Sequence, residues 1–306
     1  MSFIQASEPV SSMSSTSSIA AIIDARPRDV GGFKVGRLLP SRVRRLVGPF
    51  IFLDHMGPVT LAPGRGVDVP PHPHIGLATV TYLLEGELIH RDSLGSLQPI
   101  QPGEINWMTA GRGIVHSERT SSRLRAAGSS LHALQMWVAL PKADEEMEPA
   151  FHHYAVPALP ELRNEGGQIR VLIGKAYGIE SQVETLTETF LIDVIMKRDC
   201  ELPIPDQYEE RALYVIDGAV WCGSEHADAG RMFVFAPGTQ AVIRAESASR
   251  LVLLGGVAID GPRHIWWNFV SSSPERIEQA KRDWKERRFP KIQGDDIDFA
   301  PLPTYS

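Results

Sequence analysis

Two short patterns in the first half of the chain carry side chains that can hold a metal ion. One is His72-Pro73-His74 and the other is His116-Ser117-Glu118. Both pairs are spaced i, i+2, and residues two apart on a β-strand project from the same face. If both strands faced one barrel interior, three imidazoles and one carboxylate would converge. Such donors suit a divalent first-row metal, with bonds of roughly 2.0–2.2 Å by analogy with zinc. Four protein donors leave two adjacent octahedral positions for water, dioxygen or a two-toothed substrate, as a catalytic site requires. A lone His-x-His in a loop is commonly incidental, but two pairs within one repeat are harder to dismiss. An inward-facing Glu118 would also be costly to bury unless paired or coordinating. Pro71 and Pro73 stiffen the first pair.

The elements that must position these residues read as short strands. β-rich runs at 77–84, 134–140, 169–173, 190–196, 213–216, 232–235 and 250–254 alternate with turn signals, the pattern of an all-β sandwich or barrel. An internal repeat is visible. Tyr82-Leu83-Leu84-Glu85-Gly86 followed by Pro102-Gly103 is echoed by Tyr214-Val215-Ile216-Asp217-Gly218 followed by Pro237-Gly238. The acidic-Gly and Pro-Gly pairs supply the positive φ of tight turns. The boundary between the two units is expected near Pro141 to Pro160. One helix is expected, opened by Ser273 as N-cap with Pro274 in its first turn and continuing past Ile277, Ala280 and Trp284 to near Arg288.

Composition bounds the rest. The 306 residues suffice for two domains, and 43% hydrophobic with 22% charged residues is an ordinary globular balance. The net charge of −6 gives no electrostatic case for nucleic acid. Cys200 and Cys222 are too few for a disulfide framework and fit a reducing compartment. No apolar run reaches the roughly 18 residues of a membrane span, and the Ser-rich start does not read as a signal peptide. A cytoplasmic location follows as the expectation.

The stretch Pro71-His72-Pro73-His74-Ile75-Gly76, the segment Thr79-Val80-Thr81-Tyr82-Leu83-Leu84-Glu85-Gly86, and above all Trp107-Met108-Thr109-Ala110-Gly111-Arg112-Gly113-Ile114-Val115-His116-Ser117-Glu118 resemble the pirin family of the cupin superfamily. The resemblance spans about Ala20 to Pro303. It implies two tandem cupin, jelly-roll-like β-barrels packed face to face, with a short C-terminal helix. The corresponding divisions are a disordered tail at 1–18, a metal-binding cupin at 19–148, a second cupin without ligands at 149–272, and the helix and tail at 273–306. It also implies one divalent metal in the first barrel on His72, His74, His116 and Glu118. Fe(II) is the first choice, and Mn, Co, Ni, Cu and Zn are compatible with the donors. The Glu that many cupins carry four or five residues after the second His is absent here, where Ala78 and Thr79 stand. In the second repeat the matching positions are approximately Ile204, Asp206, Leu251 and Leu253, so no metal is expected there.

The activity the resemblance implies is a quercetinase-type dioxygenase, opening a flavonol ring with dioxygen. Glu118 would take the proton of the flavonol 3-hydroxyl, Phe52 would help form an apolar slot, and Trp107 and Met108 read equally as wall of that slot or as core. The alternative is a non-enzymatic, metal- or redox-dependent regulator acting through a protein partner. A monomer is expected. Other noticeable residues carry less weight: Asp54-His55 as entrance lining, His152-His153 as an exposed loop, Trp266-Trp267 as packing, and the basic stretch 281–288 as a solvated helix face.

Overall fold

The computed structural model of the protein describes residues 4–5, 17–30 and 33–304. The expected tail at 1–18 lies outside them except for residues 4, 5, 17 and 18. The fold is all-β, with a six-residue helix Ser122–Ala127 (α1) and the longer Pro274–Lys285 (α2). The Ser273 hydroxyl accepts the amide of Arg276 and caps α2 as expected; the helix buries Ile277 and Ala280. Among the described residues no helix is long and apolar enough to cross a membrane.

The first-half strands are β1 (Arg26–Val30), β2 (Phe33–Leu39), β3 (Phe50–Leu61), β4 (Asp68–His74), β5 (Leu77–Glu85), β6 (Leu88–Asp92), β7 (Leu97–Ile100), β8 (Ile105–Thr109), β9 (Ile114–Arg119), β10 (Ser129–Ala139) and β11 (Ala150–Tyr154). One sheet has the order β11-β8-β5-β10-β3-β2-β1 and the other the order β4-β9-β6-β7. β5 is central in its sheet and buried along nearly all its length, which explains its near-continuous apolar run. The second-half sheet runs Glu161–Asn164, Gly167–Ile173, Thr189–Met196, Ser249–Gly256, Glu210–Asp217, Arg231–Phe235 and, at its edge, Ile19–Asp24. Its core is hydrocarbon, including Phe190, Leu213, Phe233, Leu251 and Leu253, all completely buried.

The repeat read from the sequence is a repeat of structure. Gly86 and Gly218 have φ of 90° and 81°, and Gly103 and Gly238 have 85° and 70°. The compact units are not contiguous stretches of the chain. One compact unit takes the chain up to Arg26, then Gly36–Ile51 and Val156–Ala258; the other takes Pro27–Val35, Phe52–Ala155 and the chain from Ile259 onward. The reason is strand pairing over long sequence separation: Ile19–Asp24 completes the edge of the second-half sheet against Arg231–Phe235. The helix and tail form no division of their own and belong to the unit that carries the histidines. Within that unit, Glu145 from the expected boundary is buried, and its carboxylate accepts both the amide and the hydroxyl of Ser272, fixing the approach to α2.

Two of the four repeat glycines give a test. A Cβ on Gly86 would stand 2.1 Å from the carbonyl oxygen of Ser130, whereas one on Gly238 meets nothing within 4 Å. Gly238→Ala should cost about 1–2 kcal/mol, the left-handed backbone penalty alone. Gly86→Ala should cost a further 1–3 kcal/mol or so for the clash. Urea unfolding of the two variants checks the order, and equal losses would contradict it.

Candidate metal centre

Pairing of β9 with β4 and β6 assembles the site. His116 stands directly opposite His72 on β4 and Asp92 on β6; Glu118 stands opposite Val69 and His90. Between His116 and Glu118 the β4 register slips by a residue. The bulge falls at Pro70 and Pro71, which have no amide hydrogen to offer a regular ladder. Alternation along β4 puts His74 on the same face as His72.

The donor atoms of His72, His74 and His116 all lie within 4.8 Å of one another, and all three residues are buried. Ring centroids are 4.3 Å apart for His72 and His116, and 5.0 Å for each of the other two pairs. Two of the tautomers can be deduced. His72 Nδ1 lies 2.9 Å from the carbonyl oxygen of Pro70, and His74 Nδ1 lies 3.1 Å from that of Asn268. A carbonyl only accepts, so each Nδ1 carries the hydrogen and each Nε2 keeps its lone pair. His74 Nε2 points at His116 Nε2, 3.1 Å away. His116 Nδ1 is buried without a hydrogen-bond partner among the described residues.

Burial keeps these rings neutral. It lowers His72 to about 4 despite the opposing Pro70 bond, and drives His74 and His116 well below the ordinary imidazole value, with the neighbouring rings adding to the shift. Neutral imidazoles with converging ring nitrogens, screened from water, are a donor set that fits a divalent transition metal.

Glu118 is buried on the same strand but does not join the three-imidazole cluster. The Thr81 hydroxyl donates to its Oε1 at 3.1 Å. That hydroxyl is also 3.0 Å from Gln135 Oε1, and its one proton serves one of them at a time. Burial pushes the Glu118 carboxyl up, with His90 and Thr81 pulling the other way.

Register sorts the remaining candidates. Thr81 stands opposite Asn106 and Gln135, and Thr79 opposite Met108 and Trp137, so these six share the face that meets Glu118. Trp107 stands opposite Val80 and belongs to the other face, which removes it from the expected slot. Phe52 stacks on Trp137 at 4.1 Å, and Trp137 presents its edge to His74 at 5.2 Å. His55 meets His132, their Nε2 atoms 2.6 Å apart, and takes no part in the triad. His153 bonds Asn106 Oδ1 through Nδ1 at 2.8 Å while His152 is exposed, so they are not a ligand pair. Trp266 and Trp267 pack with Phe269, Trp284 and Phe289, as expected.

One pair escaped the sequence reading. His90 is buried beside His116, its ring 5.4 Å from that of His116 and stacked on Phe151 at 4.3 Å. Its Nε2 meets Asp92 Oδ2 at 3.0 Å, and Asp92 Oδ1 accepts the amides of Leu94 and Ser96. The signal was available, since His90-Arg91-Asp92 has the same i, i+2 spacing as the two ligand-type pairs.

An imidazole triad buried on two paired strands of one unit, and an apolar core in the other, define a bicupin with one histidine centre among the described residues. The sequence matches the Pirin family over residues 32–138 and the Pirin C-terminal cupin domain over residues 191–290. The chain belongs to the pirin family. A pirin-like protein of Caulobacter vibrioides is 48% identical over 288 residues, 93% of this chain and 99% of that one. The crystal structure of a quercetin 2,3-dioxygenase from Acinetobacter baumannii superposes with a TM-score of 0.86 at 34% identity, covering 94% of this chain and 95% of that one. A bacterial pirin from Escherichia coli, solved in complex with nickel(II), shares the fold at a TM-score of 0.61 and 18% identity, covering 78% of this chain and 99% of that one.

The neutral triad has a pH signature. In the unfolded chain a histidine takes up its proton near 6.5, whereas folded His72 does so near 4. The unfolded state therefore binds more protons between these values, and stability of the metal-free protein falls as pH drops through that window. Each such imidazole contributes up to about 1.4 kcal/mol per pH unit. Urea unfolding at a series of pH values should give a shallower dependence for His72→Gln than for the wild type. Identical slopes would show that His72 is not held neutral.

Proposed function

We propose that the protein is a metal-dependent dioxygenase of the quercetinase type, acting on a flavonol at a centre held by His72, His74, His116 and, once the ion is bound, Glu118. The observation that carries this reading is the convergence of three buried, neutral imidazoles beside the Phe52–Trp137 stack. The similarity to the Acinetobacter baumannii dioxygenase supports it. We assign Fe(II) as the ion. When bound, it supplies Lewis acidity toward the substrate oxygens and the means of activating dioxygen.

The chain's own groups do the rest. Carbonyls of Pro70 and Asn268 hold His72 and His74 in the tautomer that turns Nε2 inward. Glu118 takes the proton of the flavonol 3-hydroxyl. A carboxyl pushed up by burial is a stronger base than one in water, which suits that transfer near neutral pH. Thr81 hydrogen-bonds Glu118 and orients it. The Trp137 ring and Met108, on the same inward face, give a flat aromatic substrate an apolar wall. Their burial keeps water from the reacting atoms.

Protein loaded with Fe(II) under air should bleach the visible absorbance of a flavonol. His74→Ala should abolish turnover by loss of the ion. Glu118→Gln should keep the ion and lose about 100- to 10,000-fold in kcat, the span of a missing general base. Absence of metal-dependent turnover across several flavonols would overturn the assignment.

A further inference from the structure

We infer that the segment following α2 is a latch that positions the imidazole triad from outside the barrel, with Asp295 as its principal positioning residue. This rests on the metal-centre reading above.

β4, which carries His72 and His74, is the edge strand of its sheet and pairs only with β9, through a bulged register. An edge strand lacks the second neighbour that would fix it. Here the C-terminal segment takes that place. The amide of Ala300 donates to the carbonyl of Pro71 at 2.9 Å, immediately before His72. The indole of Trp284 on α2 donates to the carbonyl of Ala300 at 2.9 Å, tying that contact to the helix. Ahead of α2, the amide of Val270 donates to the carbonyl of Ile75, immediately after His74, at 3.2 Å, a contact independent of the latch.

The grip on β9 is stronger. Ser117 and Arg119, the residues on either side of Glu118, point away from the triad. The Ser117 hydroxyl, fully buried, donates to Asp295 Oδ2 at 2.7 Å. Arg119 donates through Nε to the same oxygen at 2.7 Å and through Nη2 to Asp295 Oδ1 at 2.8 Å, a two-toothed charged pair; it also reaches Asp298 at 2.6 Å. One carboxylate therefore holds the outward residues on both sides of Glu118. Inward and outward residues share one backbone, so displacement of Ser117 and Arg119 displaces His116 and Glu118.

The segment also packs: Phe289 and Leu302 lie against the core around Ile75 and Phe269. A cavity of about 60 Å³, lined in part by Pro71, Val115, Phe289, Ile292 and Phe299, lies where it meets these strands. The polar bonds to Ser117 and Arg119 are the part of the grip that single side-chain changes can test.

The probe is cobalt(II), whose visible absorption reports both occupancy and coordination geometry. Wild type, Asp295→Ala, Ser117→Ala, His72→Ala and Asp296→Ala are titrated, and thermal melts of the metal-free forms monitor folding. Loss of an outer partner of a metal site weakens binding about 10- to 100-fold, and that is the expected loss for Asp295→Ala, with an altered cobalt band. Ser117→Ala, which removes one of the three bonds and leaves the ion pair, should lose severalfold. Asp296→Ala, the neighbouring carboxylate, should bind as the wild type does. Should Asp295→Ala fail to fold, Ser117→Ala decides. Wild-type affinity and an unchanged spectrum in Ser117→Ala and in any folded Asp295→Ala overturn the latch. Failure of the wild type to take up cobalt, or uptake by His72→Ala equal to wild type, overturns the metal-centre reading and the latch with it.

Discussion

The arrangement depends on one constraint: three imidazoles are buried together and must stay neutral with a ring nitrogen of each close to the others. Left to themselves, such rings would take up protons or rotate their lone pairs toward donors. The chain prevents both. Burial removes the water that would stabilise a charged ring. Backbone carbonyls of Pro70 and Asn268 occupy the opposite nitrogen of two rings, so that turning either ring would break a hydrogen bond in a dry interior. The convergence is thus fixed by backbone before any ion arrives, and the binding free energy of the ion need not be spent on ordering side chains.

That constraint accounts for the local features around it. The Pro70-Pro71-His72-Pro73-His74 run is poor material for a ladder, since a proline donates no hydrogen bond. It serves at an edge, with a bulge that absorbs the missing donors. The same run leaves the carbonyls of Pro70 and Pro71 available, one to His72 and one to Ala300. Two features that weaken a strand as a strand therefore make it suitable as a holder of ligands.

Much of this is legible in the sequence, because alternation along a strand is a local property. His72, His74 and His116 meet as their spacing implies, and the Glu85-Gly86 and Asp217-Gly218 turns mark equivalent hairpins. What is not legible depends on pairing across long separations. Nothing near Ile19 announces that it will lie beside Phe235, and so the second-half sheet draws a strand from the start of the chain. Trp107 and Met108 are adjacent and both apolar, and only the register against Val80 and Thr79 assigns them to opposite faces. The expectation for Glu118 falls between these cases. Its spacing from His116 is right for a shared face, but the slip in β4 beside it intervenes, and the carboxylate rests on Thr81 instead of joining the cluster.

The duplicated half shows what the site costs. At the approximate repeat equivalents of His116 and Glu118 stand Leu251 and Leu253, completely buried in a core with Phe233, Val215 and Ile192. Hydrocarbon at such positions contributes roughly 1.5–3 kcal/mol for each large side chain removed from water. Imidazoles and a carboxylate give up most of that gain and need partners for every nitrogen and oxygen. In the first barrel, where His116 Nδ1 has no partner among the described residues, Pro70, Asn268 and Thr81 partner His72, His74 and Glu118, and Asp92 partners the neighbouring His90, from four separate segments of the chain. Each is bound to one donor or acceptor geometry, so the first barrel cannot repack as freely as the second. The same hairpin plan thus yields a core filled by interchangeable hydrocarbon in one copy and a polar centre with specific partners in the other.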